Sequence, residues 1–379
     1  MTTDKVFPPS KFIKDELENR KWTQIDLAFI LGRNPNDISL LVSGKKRITP
    51  EVAQELASAF GTKVEYWLNL ENQYRLSQLD SVDEAVARRS RLYNTFPAKE
   101  ILKRGWVSPS NDVTELEAKF LRFFGISSLD DEPKMPHAAR KSGSYAETTI
   151  PQIAWLKRAE KLARAVMVKQ KFSDKSLAEA MDKLRLLLFN LEEIRHVPKI
   201  LADAGIRLII IEPLANTKID GVTFWVDSNS PVIVLSLRFD RVDAFWQTIL
   251  HEASHVKHRE GQDAPIIDMD LIDSDSPSEK PEFEQRADRD AAEFSIPSSK
   301  LNSFISRVHP SYYDDKILGF SALNKIHPGI LVGQLHHNFR VNGKGLTFSH
   351  QRKFLVKVRH ILTQASLTDG WGFMPPISE

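Results

Sequence analysis

Apolar residues recur at i, i+3 and i+4 through much of the first 200 positions, predicting helices over Lys11–Arg20, Thr23–Leu31, Pro35–Ser43, Pro50–Phe60 and Val64–Tyr74. Gly32, Gly44 and Gly61 separate them, and Thr49-Pro50-Glu51 opens the fourth with a hydroxyl cap and a proline at the first helical position. The same spacing predicts helices at Val113–Phe124, Ile150–Lys169, Asp174–Phe189 and Glu192–Ala204, while Asp130–Tyr145, with Pro133, Pro136 and Gly143, reads as a linker. After Gly205 the pattern changes to β-branched runs, Ile206–Ile211, Gly221–Val226 and Pro231–Leu237, divided by Pro, Gly and Asn, as in strands. Helical patterning resumes at Arg241–Arg259 and Pro281–Phe294. The expected fold class is a mainly α N-terminal domain and helical middle region, then an α+β C-terminal domain with a small sheet. The expected boundaries are 1–76, 77–149 and 150–310, with 311–379 completing the last domain.

Charge alters this picture locally. The 379 residues carry 52 basic and 50 acidic side chains, a net charge of +2, yet residues 260–293 hold 12 acidic against 3 basic groups. The stretch GQDAPIIDMDLIDSDSPSEKPE therefore reads as an acidic surface loop, or as a lid or internal substrate mimic beside a site. The chain has no cysteine, so a metal must be held by His, Asp or Glu. The opening MTTDKVFPPSKF lacks a basic-then-apolar leader, and no apolar run is long enough to span a bilayer. A cytoplasmic protein with no membrane partner is expected.

The five N-terminal helices, with the tight Gly32-Arg33-Asn34 turn, have a helix-turn-helix layout in which Pro35–Ser43 would enter the major groove. Gln24 can contact a phosphate, Lys45, Lys46 and Arg47 are placed for backbone contacts, and Asn34, Asn36, Ser39 and Ser43 can read base edges. Asp37 and the lack of a basic residue from Asn34 to Ser43 work against affinity. Over about 70 residues, ending in Trp67-Leu68-Asn69-Leu70, this segment resembles the HigA-type antitoxin branch of the Xre/Cro helix-turn-helix family. The resemblance implies a homodimer on palindromic double-stranded DNA.

Residues 251–255 read His-Glu-Ala-Ser-His within a helical pattern. His251 and His255 lie one turn apart on one face and can share an ion, with Glu252 beside them as a general base. His258 is two turns from His251, and the position six residues after His255 is Gly261, so neither supplies a third ligand. Glu284 shares an apolar stripe with Ala287, Ala291 and Phe294, where a carboxylate needs a partner, and is the expected third ligand; a structural salt bridge is the alternative.

The run EQRADRDAAEFSIP (284–297), with KRGWVSP, GVTFWVDSNSPVIVLSLR, FWQTILHEASH and IHPGILVGQLHH, resembles the ImmA/IrrE metallopeptidase family, departing from it at Asp288 and Asp290. The resemblance implies a zincin-like fold, a metal on His251, His255 and Glu284, and catalysis by Glu252. One Zn²⁺ per chain is expected, another divalent ion being possible, with the fourth position left to water. His327 is the candidate donor to the developing oxyanion, the alternative being a loop histidine with a satisfied backbone bond. Pro231–Leu237 is the candidate strand for pairing with an extended substrate.

The combined expectation is a DNA-binding regulator fused to a zinc endopeptidase. The resemblance implies cleavage of a repressor or antitoxin in stress or phage response. A DNA-binding antitoxin or autorepressor with a non-catalytic metal- or ligand-sensing domain is the alternative, and a scaffold with neither activity is a third.

Overall fold

The computed structural model describes residues 6–78, 84–133, 140–141, 148–269, 271 and 280–375. The chain divides into two units, Met1–Ser90 and Arg91–Glu379. The residues from 91 to 149 thus fall in the larger unit.

The smaller unit holds α1 (Pro9–Arg20), α2 (Gln24–Leu31), α3 (Pro35–Val42), α4 (Pro50–Phe60) and α5 (Val64–Ser77). Local chemistry sets their ends. Thr23 and Asp26 form a reciprocal capping box on α2, Asn34 caps α3, and Thr49 caps α4 ahead of Pro50. Gly32 and Gly61 end α2 and α4 in the left-handed conformation that glycine adopts without steric cost. The inward faces meet in one core of Ile13, Leu27, Ile38, Leu56, Phe60 and Trp67.

The chain continues through α6 (Glu84–Thr95), which crosses the division, then α7 (Ala98–Lys103), α8 (Val113–Phe124), β1 (Arg140–Lys141), α9 (Ile150–Ala165) and α10 (Asp174–Leu187). The predicted helix Glu192–Ala204 is instead a 3-10 turn, Leu191–His196, followed by α11 (Val197–Asp203). Pro198 lacks the N–H that a continuous helix would need there, so the segment restarts around it. Then come β2 (Arg207–Ile211), β3 (Ile219–Trp225), β4 (Pro231–Leu235), α12 (Val242–Lys257), β5 (Ile266–Met269) and α13 (Glu282–Ser295). The chain closes with α14 (Ser298–Val308), α15 (Asp314–Asn324), α16 (Pro328–Asn342), α17 (Arg359–Ala365) and β6 (Leu367–Asp369).

The strands form one mixed sheet in the order β1-β5-β3-β4-β2-β6. β2, β3 and β4 are buried on both faces, which explains their near-continuous apolar sequence. Ile209, Ile211, Val222 and Val234 face a core shared with Phe120 and Trp155, while Leu208, Ile210, Ile233 and Leu235 face a core shared with Phe245 and Leu335. The larger unit is therefore a helix–sheet–helix sandwich, and α12 is part of its interior.

This topology corrects two readings of the sequence. β4 is paired on both edges, antiparallel to β3 and parallel to β2, so it offers no free edge to a substrate. The acidic stretch is not a loop throughout: Ile266–Met269 is β5, antiparallel to β3, and buried Ile266 and Ile267 anchor it. Asp270 and residues 272–279, the rest of the suggested lid, lie outside the described residues, as does most of the linker read at Asp130–Tyr145.

Candidate active site

From Val242 to Val256, α12 is buried at every position except Gln247. A helix enclosed on all sides is ordinarily apolar all round. Here His251, Glu252 and His255 sit on it with no exposed surface, so each must find partners inside the protein. They find them on β5 and α13. His251 Nε2 lies 3.0 Å from His255 Nε2, 3.2 Å from Glu284 Oε2 and 3.4 Å from Asp268 Oδ2. His255 Nε2 lies 3.6 Å from Asp268 Oδ2 and 3.8 Å from Glu284 Oε2.

A tetrahedral zinc site with bonds of about 2.0–2.1 Å has donor–donor edges of about 3.3 Å. The five separations above bracket that value, and the sixth, between Asp268 and Glu284, is no longer than 4.8 Å. The donor chemistry agrees: Asp268 Oδ1 and Oδ2, Glu284 Oε1 and Glu252 Oε1 are buried without a hydrogen-bond partner. Unpaired buried carboxylate oxygens around two imidazoles fit a divalent cation.

The surroundings orient the donors. His255 Nδ1 is 2.7 Å from Glu260 Oε2, and His251 Nδ1 is 3.0 Å from Asp288 Oδ1. Each carboxylate faces the far side of its imidazole and leaves Nε2 turned toward the cluster, as outer partners of metal-ligating histidines do. Arg286 pairs with Glu260, and Lys280 Nζ lies 2.8 Å from Asp288 Oδ2. Asp288, a departure from the family pattern, is thus a partner of His251.

Glu252 lies against β3. Its Oε2 accepts from Thr223 Oγ1 at 2.6 Å. A Cβ on Gly221 would fall 1.9 Å from Glu252 Oε1, so the glycine makes room for this carboxylate. Gly221 also stands opposite Asp268 in the β3–β5 pairing.

Burial and mutual attraction within the cluster pull its proton affinities in opposite directions. Burial alone would lower His251, yet Asp268, Asp288 and Glu284 hold it well above the ordinary histidine range. Burial also disfavours the charged form of His255, but Glu260 and Glu284 raise it to about 10. Burial pushes Glu252 well above the carboxylate range, and Asp268 adds to this. Burial would raise Asp268 too, but His251 and His255 draw it below its usual value.

The remaining sequence candidates are placed elsewhere. His327 caps α16, its Nδ1 accepting from Gly329 N at 3.0 Å, and burial lowers its pKa. The cap packs by Val242, since a Cβ on Gly329 would meet both Val242 and the His327 ring. Val242 begins α12, nine residues or roughly 13 Å of helix axis before His251. His327, read from the sequence as an oxyanion donor, is thus placed as the cap of α16 near the start of α12. His258 faces Asp290, 3.5 Å away, instead of the cluster.

In the smaller unit Gln24, Asn36, Ser39, Ser43, Lys45 and Arg47 are exposed. Asn34 is spent on the α3 cap, accepting from Asn36 N at 2.9 Å, and Ser43 donates to Leu40 O at 3.1 Å. Lys46 pairs with Asp37 at 2.8 Å. One recognition-helix acid thereby neutralises one cation of the basic cluster.

Sequence reasoning missed Asp268, Glu260, Thr223 and Gly221 as parts of the site. A signal for Asp268 existed: Ile266-Ile267 is an apolar pair inside an acidic stretch, a sign of a buried strand.

Residues 202–324 match the IrrE N-terminal-like domain, a peptidase family, and residues 13–67 match the helix-turn-helix family. An HTH-type transcriptional regulator of Escherichia coli K12, YddM, is 30% identical over 82 residues, covering 21% of this chain and 87% of the relative. An HTH-type transcriptional regulator of Haemophilus influenzae is 37% identical over 81 residues, 21% of this chain and 76% of the relative. Among solved structures, a HigA-family addiction module antidote protein from Coxiella burnetii is 27% identical, covering 28% of this chain and all of that one, at a TM-score of 0.19. Among the described residues no helix is long and apolar enough to cross a membrane. The chain belongs to the helix-turn-helix family of HTH-type transcriptional regulators, and joins that domain to an IrrE-like domain of a peptidase family.

Proposed function

We propose that the protein is a DNA-binding, dimeric regulator whose larger unit is a zinc-dependent endopeptidase acting on a protein partner, a repressor or antitoxin, in a cytoplasmic stress or phage response. The observation that carries this reading is the convergence of His251, His255 and Glu284 beside Glu252, a general base that a purely structural zinc site would not require. When bound, the ion supplies a Lewis acid that acidifies water and polarises a peptide carbonyl. The two Nε2 atoms and Glu284 Oε2 would hold it, while Glu260 and Asp288 face the far sides of the imidazoles and fix their planes. Glu252 would take up the water's proton at its unpartnered Oε1, while Thr223 anchors Oε2.

Metal titration tests the site. One ion per chain is expected, and Glu284→Ala should remove tight binding. Both histidines carry raised pKa values and must lose their protons to ligate, so affinity rises with pH. Release of two protons corresponds to about 100-fold in affinity per pH unit near neutrality. Calorimetry in buffers of different ionisation enthalpy counts these protons; binding unaffected by pH between 6 and 8 would remove the histidines as ligands.

A second reading, a DNA-binding antitoxin or autorepressor with a metal-sensing but non-catalytic domain, is favoured by Asp268, which makes the donor set four. Co-purification with Glu252→Gln as a trap separates the two, since only a peptidase retains an uncleaved partner there.

For DNA, Asp37→Ala frees Lys46 to meet a phosphate. Affinity for a two-fold-symmetric operator should rise several-fold, and the salt dependence should steepen by about one counterion per subunit. Weaker binding by the variant would show that Asp37 helps position the recognition helix.

A further inference from the structure

The larger unit brings a peptidase-type donor set together and at the same time closes it. His251, Glu252, His255, Asp268 and Glu284 have no exposed surface. The adjacent cavity of about 470 Å³, lined by Arg241, Gln247, Asp288, His336 and Phe348, reaches none of them. What closes the site is β5. Asp268 Oδ2 stands 3.4 and 3.6 Å from the two imidazole Nε2 atoms, placed to be a fourth donor beside them and Glu284, and neither of its oxygens has a hydrogen-bond partner. A catalytic zinc site keeps its fourth position for water or substrate, and a structural one fills it with protein.

The backbone of β5 performs the second half of the closure. β3 is the strand against which Glu252 packs, and β4 covers its inner edge. Its outer edge, where an extended peptide could add as a strand beside the metal, is taken by β5 in antiparallel register, with Gly221 opposite Asp268 and Val222 opposite Ile267. β5 has four residues, and its far neighbour β1 pairs with only two of them, at Ile266 and Ile267. The blocking segment is thus short, and few ladder bonds hold it. Ile266 and Ile267 are its buried anchors.

We propose that β5 is a built-in pseudosubstrate: Asp268 occupies the open metal position and the β5 backbone occupies the peptide-binding edge of β3, so that the peptidase is latent until β5 is displaced. The displacing substrate is an extended peptide with an apolar, β-branched side chain able to take the place of Ile267. The inference rests on the peptidase reading above.

Cobalt substitution tests it without relying on turnover. Wild type and Asp268→Ala are each loaded with Co²⁺, the ion content is measured, and the visible absorption is followed during titration with acetohydroxamate, a small bidentate metal ligand. The wild-type spectrum should stay unchanged, whereas the variant should respond with at least tenfold higher apparent affinity. Asp268→Asn, which keeps the side-chain volume and the strand, should respond in the same direction, and circular dichroism checks that both variants are folded. A wild-type spectrum that shifts as readily as the variants', or folded variants that stay silent, would overturn the blocking role of Asp268 while leaving the metal centre standing. Absence of bound cobalt from the wild type would overturn the metal centre, and the proposal with it.

Discussion

Glu252→Gln is expected to keep one ion per chain and to lose cleavage of the retained protein partner by roughly 10²–10⁴-fold, the range set by removal of a positioned general base. The substitution preserves shape, and Thr223 Oγ1 on β3, 2.6 Å from Glu252 Oε2, still anchors the side chain, so the donors of the cluster are expected to stay in place. Gln accepts the same hydrogen bond through its amide oxygen. It cannot take a proton at the position of Oε1, which lies unpartnered at the surface of Gly221. Parallel measurements of metal content and of cleavage of the trapped partner separate the two roles. Unchanged cleavage would remove Glu252 as the base, and loss of the ion would make it a structural support of the donor set.

Asp369→Ala should destabilise the larger unit by about 3–5 kcal/mol, the usual consequence of leaving a buried charge without its partner. Asp369 ends β6 at the edge of the sheet and is 1% exposed; Arg158, on α9, is 3% exposed. Their Nε and Oδ2 atoms are 2.5 Å apart, and Trp106 Nε1 donates to the other carboxylate oxygen at 3.3 Å. The pair ties α9 to β6, the last strand among the described residues, across 211 positions of sequence. Urea unfolding of the full chain reads the effect in the transition of the larger unit. An apolar double substitution, Arg158→Met with Asp369→Leu, should recover most of the loss because no unpaired charge remains. A loss below about 1 kcal/mol in the single variant would show that water reaches Arg158.

Much of this fold was legible because its signals are local. The caps and glycine stops at Thr23, Gly32, Asn34, Thr49 and Gly61 act within a few residues, and α1 to α5 follow them to within a few positions. The β-branched runs of β2, β3 and β4 were equally plain, since strands buried on both faces must be apolar along their whole length. The pairing order was not plain. β5 hides four residues in a strongly acidic stretch, and β6 is three residues long, too short for any period to be read. The proline at 198 was visible in the sequence, but its effect depended on where the helix before it ended.

For the site, the sequence by itself determined the donor types and two of their positions: no cysteine, two histidines one turn apart, and a glutamate between them, because a helix fixes side chains four residues apart on one face. It also marked Glu284 as a carboxylate on a buried stripe. Only the tertiary structure decided that Asp268 joins them, that Glu260 and Asp288 orient the imidazoles, and that the centre is closed. Those facts depend on which strand lies along β3, a contact between segments about 45 residues apart that no local pattern encodes. Helical spacing is written in the chain; strand partnership is settled by whichever edge buries the most apolar surface when the sheet assembles.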